Sequence, residues 1–225
     1  MDAPSRHWAA LMALALLQCA TAGRAIRGIA PAPANGSLQD LHGIMQRTEE
    51  AMLAVIPCDN ADTYFSGAIL PHRVGAVELC NWLSEHGSDT VLLNISSAVY
   101  NSPTENQIYE IKAQLPDCPL TPAPAPAKSL PAHSRAASMI SLSPAVAIRS
   151  SIPMKEAAPL TGNPDHDWAI AMVAHHQASI AMARVEMQHG TNQPLKARAS
   201  ELIVTQTLQV MQMRQVLSSQ YATVI

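Results

Sequence analysis

Apolar positions recur at helical spacing along most of this 225-residue chain. Leu38, Leu41, Met45, Thr48, Met52 and Val55 or Ile56 make the stripe of an amphipathic helix, with Ser37 as its N-cap and Pro57 as its stop. A second helix is predicted to start between positions 59 and 62 and to run to His86, with Gly87 as its terminal glycine. Asp89 caps a helix that runs to Tyr100, Asn101-Ser102-Pro103 breaks it, and helix resumes over 104–115. Asn163-Pro164-Asp165 opens a further helix with an N-cap, a first-turn proline and acids at the positive helix end, and this helix reaches His189 and Gly190. Asn192-Gln193-Pro194 opens the last one. Its inner face carries Leu195, Ala199, Leu202, Gln206, Gln209 or Val210, Met213 and Leu217. Aromatic residues make up only 4% of the chain while Ala, Leu, Met and Gln abound, which favours helix over sheet. The expected fold class is all-α.

The helices fall into two hairpins that resemble each other. Positions 62–87 align without a gap onto 165–190. Asp62/Asp165, Ala68/Ala171, His72/His175, His86/His189 and Gly87/Gly190 are identical, and Phe65/Trp168, Ile69/Met172, Val77/Ile180 and Leu79/Met182 are similar. Two αα-hairpin repeats together make a four-helix bundle, with one additional N-terminal helix. Between them, Pro, Ala and Ser dominate, including Pro122-Ala-Pro-Ala-Pro126, the composition of an extended linker with room for a short packed piece over 139–148. The expected organisation is a signal peptide at 1–22, the N-terminal helix and first hairpin at 37–118, the linker at 119–162 and the second hairpin at 163–220.

Arg6 and His7, the apolar run from Trp8 to Leu17, and Ala20-Thr21-Ala22 before Gly23 have the three parts of a signal peptide. The run is too short to span a membrane comfortably. An exported protein is expected, periplasmic or secreted and not integral to the membrane. Gln18 precedes Cys19 where a lipid-anchored protein has a small residue, so no anchor is expected there. Export implies oxidising surroundings. Cys58 precedes the first hairpin and Cys118 ends it, so the two ends meet and a Cys58–Cys118 disulfide is predicted; Cys80 is then a small buried hydrophobe. The net charge of −3, with no basic run, argues against nucleic acid as a partner.

The candidate chemistry lies in the second hairpin. At about 100° per residue, Met172 falls between His175 and His176 on one face, and Ser179, Ala183 and Glu186 continue it. Imidazole with thioether is a ligand set suited to copper, and the thioether favours the soft monovalent ion. The candidate metal ligands are His175, His176, Met172, Met182 and Met213. Adjacent histidines diverge on a helix, so one ion takes both only with help from neighbouring helices. The bland alternative is a buried polar cluster in which Ser179, Glu186 or a helix carbonyl satisfies each imidazole. The first hairpin keeps His72 but has Ile69, Arg73 and Gln114 where the second has Met172, His176 and Met213, so His72 is read as structural. His86 and His189 are read as helix-end residues. No di-iron Glu-x-x-His pair, no HExxH, no triad spacing and no phosphate loop is present, and no enzyme activity is expected.

Asp165-x-x-Trp168-x-x-x-Met172-x-x-His175-His176-x-x-x-Ile180-x-Met182-Ala183, then Gly190, then Ile203-x-x-Gln206-x-x-Gln209-Val210-x-x-Met213, resembles the domain of unknown function 305 family. The resemblance is strong over roughly 163–217. It implies an exported bacterial protein with a ferritin-like helical bundle, in a family some of whose members are implicated in binding copper or silver through His and Met. The family usually has Glu where Gln209 stands. The expected function is sequestration or buffering of copper, with silver as the alternative ion. The alternatives are a metal-free binding or structural module of the cell envelope and, more remotely, a ferritin-like redox protein. The hairpins are expected to pack within one chain or to swap between two in a homodimer.

Overall fold

The computed structural model describes residues 38–117, 143–154 and 160–221. The predicted signal peptide, the Ser37 cap, Cys19 and Cys118 lie outside these residues. Among the described residues the chain is all-helical, with no strand: α1 (Leu38–Leu53), α2 (Ala61–His86), α3 (Thr90–Tyr100), α4 (Thr104–Lys112), α5 (Pro144–Ser151), α6 (Pro164–His189) and α7 (Gln193–Gln220). None of these helices is long and apolar enough to cross a membrane. The caps act where the sequence places them. The side chains of Asn60, Asp89, Asn163 and Asn192 each accept a hydrogen bond from a backbone N–H in the first turn of the helix that follows.

Helices α2 and α6 are the central pair. Helix α7 packs on α6, and α3 and α4 pack on both α2 and α7, so these elements close a ring; α1 lies over α2 and α6. Helix α2 runs unbroken through Pro71, whose neighbours Ala68, Ile69, His72 and Arg73 are all buried. Packing on both sides outweighs the hydrogen bond that the proline removes.

Within the stretch read as a linker, residues 144–151 form the short packed piece for which the sequence left room. Helix α5 is capped by Ser143 and packs on α6 and α2, and Ile148 and Ile152 are fully buried. Two branched aliphatic side chains four residues apart are enough to dock one short helix.

Gly87 and Gly190 end their helices as expected, but not for the expected reason. Their φ values are −86° and −67°, outside the left-handed region. What demands glycine at position 87 is space: a Cβ there would lie 2.8 Å from the Asp165 carboxylate and 2.9 Å from Leu83 Cγ. A close approach also governs Gly75, in the middle of α2, where a Cβ would sit 2.6 Å from Cγ2 and 2.9 Å from Cβ of the buried Thr48 on α1. Intrinsic propensity favours Ala over Gly in a helix interior by about 1 kcal/mol. Gly75→Ala is nevertheless expected to destabilise the fold by about 1–3 kcal/mol, because α1 must move away. A urea midpoint equal to or above wild type would refute that close contact.

The helix turns are tied reciprocally. Asp165, in the first turn of α6, accepts hydrogen bonds from the backbone N–H groups of Ser88 and Asp89 and from the Ser88 hydroxyl, just beyond α2. Asp62, in the first turn of α2, accepts the same set from Thr191 and Asn192, just beyond α6. Each hairpin's first aspartate thus ties down the turn that leads into the other hairpin's second helix.

Candidate functional site

The core consists of two apolar clusters. One holds Leu79, Trp82, Leu92, Trp168, Met172, Val210 and Met213, and the other Phe65, Ile69, Ile108, Met182, Leu195 and Leu202. Between them along every central helix lies a belt of buried polar residues: His72 and Arg73 on α2, Glu105 on α4, His175, His176 and Ser179 on α6, Gln206 and Gln209 on α7. The sequence places each of these at an inward position. Only the packing puts them at one level.

His72 and His175, aligned positions of the two hairpins, stack ring on ring with centroids 3.8 Å apart and planes inclined by 17°. The His175 and His176 rings lie 6.2 Å apart. His72 Nε2 is 3.1 Å from the His175 carbonyl oxygen. A carbonyl only accepts, so Nε2 carries the proton and Nδ1 presents a lone pair. That Nδ1 faces Glu105 Oε1 at 3.9 Å. His176 Nε2 lies 2.9 Å from Gln209 Oε1, and donating that bond likewise leaves its Nδ1 as a bare acceptor. His72 Nδ1, His176 Nδ1 and both nitrogens of His175 have no hydrogen-bond partner.

The histidine pair is buried among polar residues, but neither Ser179 nor Glu186 is what satisfies it. Ser179 donates to Gln206 Oε1 and to the His176 carbonyl, not to an imidazole. Glu186 contacts the α6–α7 turn, where the Cβ of an alanine at Gly190 would collide with its carboxyl group.

The belt is electrically lean. Burial, then repulsion from His176, pushes the His72 imidazolium down to about 3. Burial, then the neighbouring His72 and His176, holds His175 well below the ordinary value. Burial brings His176 down to about 4, against the opposing hydrogen bond of Gln209. All three rings are neutral at pH 7, the form that binds a metal without first losing a proton. Arg73 donates to the Val99 and Tyr100 carbonyls at the end of α3 and lies 3.7 Å from Glu105, which also accepts from Gln206 Nε2 at 3.2 Å. Burial raises the Glu105 carboxyl, and Arg73 pulls it back.

Two residues named from the sequence, His175 and His176, are at the centre of this belt. Met172, Met182 and Met213 are fully buried, but the fold divides them: Met172 and Met213 belong to the cluster on one side of the belt and Met182 to the cluster on the other. His72, read from the sequence as structural, joins the cluster directly. Its alignment with His175 was the available signal. Glu105 and Gln209 entered no sequence-based ligand set as positive candidates. Among the described residues, no group of three or more His, Cys, Asp or Glu side chains is arranged to hold a metal ion.

Elsewhere, Cys58 is disulfide-bonded; its predicted partner, Cys118, lies outside the described residues. Cys80 is a free, buried thiol that donates to the Ser96 carbonyl, and burial pushes it up to about 11, as befits an unreactive packing residue. His86 stacks on Trp82 and bonds the Trp82 carbonyl at the end of α2.

No curated protein and no solved structure matches the chain. Residues 124–217 match the model of the family described as Domain of unknown function (DUF305). The match starts upstream of the motif-bearing helices and takes in α5, in keeping with the docking of Ile148 and Ile152. The matched stretch is similar to that family and takes in His175, His176, Met172, Met182 and Met213.

Proposed function

We propose that this is an exported, periplasmic protein that sequesters monovalent copper, or silver, with His175 and His176 as the imidazole ligands and Met172, Met182 and Met213 as the thioether set. The observation that carries this reading is the group of unpartnered imidazole nitrogens in the polar belt. A buried polar atom without a partner costs about 1–3 kcal/mol, and four of them on three adjoining rings are a standing penalty that a bound cation relieves. Charge supports the monovalent ion. The belt holds the buried Arg73 cation beside three neutral rings, so a single further positive charge is tolerated there more easily than two. In an oxidising compartment thioethers remain competent where thiols are lost to disulfides. The same reading takes the architecture as a ferritin-like four-helix bundle of two hairpin repeats, supported by the reciprocal Asp62 and Asp165 ties and by the stacking of His72 on His175. It takes Cys118 as the partner of Cys58.

The test is an anaerobic Cu(I) titration of the protein lacking residues 1–22 against a chromophoric chelator, beside the His175→Ala/His176→Ala double variant. Wild type is expected to compete for the metal. The variant is expected to lose affinity by at least about a hundredfold, above the range seen for disturbing groups that merely support a ligand. Failure of wild type to compete would sink the reading. The rival, a metal-free envelope module, is favoured by one observation, the satisfied His176–Gln209 hydrogen bond. It predicts that His175→Ala shifts the melting temperature equally with and without Cu(I).

A further inference from the structure

Helix α7 is apolar on two opposite faces. Leu202, Val210 and Met213 turn into the core. On the other side Val204, Leu208 and Met211, four and three residues apart, share one stripe and are 57%, 56% and 61% exposed. A helix with apolar residues on all sides is normally covered on all sides. No charged side chain falls within 202–213, and Glu201 and Arg214 bound that stretch. The stripe also reads alike in both directions from its midpoint between Thr207 and Leu208. Val204 mirrors Met211, and both are apolar. Ser200 mirrors Gln215, both exposed and polar, and Ala197 mirrors Ser218, both exposed and small. Glu201 mirrors Arg214, which is opposite in charge.

We infer that this stripe is a self-association surface, on which α7 of a second copy of this chain lies antiparallel about a two-fold axis between positions 207 and 208. In a two-fold contact one patch serves both copies, so it must complement itself. The antiparallel register sets Val204 against Met211 of the second copy and Leu208 beside its own mate. It brings Glu201 of each copy level with Arg214 of the other. A parallel pair would bring Glu201 level with Glu201 and Arg214 level with Arg214, like charge with like. The lack of charge over 202–213 suits the axis, where a charged side chain would meet its own copy. An anionic membrane fits less well, because a helix that lies on one borders its apolar face with Lys and Arg. The 28 residues of α7 offer a face about 40 Å long and about 10 Å wide, roughly 400 Å² on each copy. A stable complex takes about 800 Å² per partner, so the dimer is expected to be weak and reversible.

The test is sedimentation of metal-free protein from about 5 μM to about 500 μM, the range in which an interface of this size forms. Wild type is expected to shift from monomer to dimer as concentration rises. Leu208→Glu sets like charge against like at the axis and is expected to weaken the dimer by at least about tenfold. Its melting temperature as a monomer should match wild type, because the side chain is exposed. The register is read by oxidative crosslinking, in which the buried Cys80 takes no part. Leu208→Cys is expected to form a covalent dimer. Ala197→Cys is not, since the antiparallel register holds it about 30 Å from its mate. Wild type that stays monomeric throughout, or Leu208→Glu that dimerises as wild type does, would overturn the inference. So would crosslinking of Ala197→Cys as readily as Leu208→Cys, which marks a parallel pair. Monomeric wild type that floats with phosphatidylcholine vesicles would overturn it in favour of a lipid surface.

Discussion

Acidification from pH 6.5 towards pH 4.5 is expected to unfold this protein steeply, and removal of two belt histidines to abolish that sensitivity. His72 and His176 have folded values of about 3 and about 4, and His175 lies well below its ordinary 6.5. Between those values and 6.5 the unfolded chain binds protons on these rings that the folded chain refuses, so their contribution to stability is complete above pH 6.5 and is lost as pH falls. Each proton is worth about 1.4 kcal/mol per pH unit. Glu186 opposes this. Burial, with the Asp62 carboxylate beside it, raises Glu186 to about 8 from an ordinary 4.5, so the folded state keeps a proton that the unfolded state has released. Protonated, Glu186 donates to the Asp62 carboxylate, which is the form this pair favours. Its contribution is complete below pH 4.5 and is lost as pH rises through 8.

Three protons against one leave a net slope of about 3 kcal/mol per pH unit on the acid side. Two pH units then remove a large part of the 5–15 kcal/mol or so that holds a typical domain together. Above pH 7 the sign reverses and stability declines gently toward pH 8. The measurement is the urea midpoint of chelator-treated protein from pH 5 to pH 9. Wild type is expected to peak near neutrality, and His175→Ala/His176→Ala to be nearly flat between pH 6 and 5, where one remaining histidine balances Glu186. A wild-type midpoint unchanged between pH 7 and 5 would show that the three imidazoles are not buried as neutral rings.

The second large effect is expected at the reciprocal aspartate ties. Asp165→Ala strands the N–H groups of Ser88 and Asp89 and frees the α2–α3 turn from α6, and a loss of about 3 kcal/mol is expected from hydrogen bonds to a charged acceptor. Asp62→Ala removes the matching contacts to Thr191 and Asn192 and should cost a similar amount. The two variants are expected to differ in pH dependence. Burial opposes ionisation of Asp62, but hydrogen bonds from Asn192, Glu186 and Thr191 outweigh it and hold this carboxyl low. Taking that negative charge away should bring Glu186 back toward its ordinary value and flatten the alkaline decline. The position aligned with Glu186 in the first hairpin is Leu83, so Asp165→Ala should lower the midpoint at every pH without changing the shape of the profile. Identical profiles for the two variants would refute the coupling of Asp62 to Glu186.

Helix identities were legible because they depend on local chemistry. Asn60, Asp89, Asn163 and Asn192 cap whatever follows them, prolines sit in first turns, and apolar residues recur at the helical period. The break at Asn101-Ser102-Pro103 was equally plain. The periodicity carried the second helix through Pro71, whereas α5 was harder to read. A proline inside a helix and a helix inside a Pro/Ala/Ser-rich segment both run against local preference, and only burial of the flanking side chains reverses the balance.

For the candidate site, the chain by itself determined that His175, His176, Met172 and Met213 point inward, because helical periodicity is a property of one element. It did not determine their company. The stacking of His72 on His175, the lone pair of His72 set against Glu105, the hold of Gln209 on His176 and the division of the methionines between two clusters were decided by tertiary structure. Each joins residues from different helices, some more than thirty and some about a hundred positions apart. Periodicity says which face turns inward, but the level at which one helix meets another is set by packing and by the aspartates that tie the turns together.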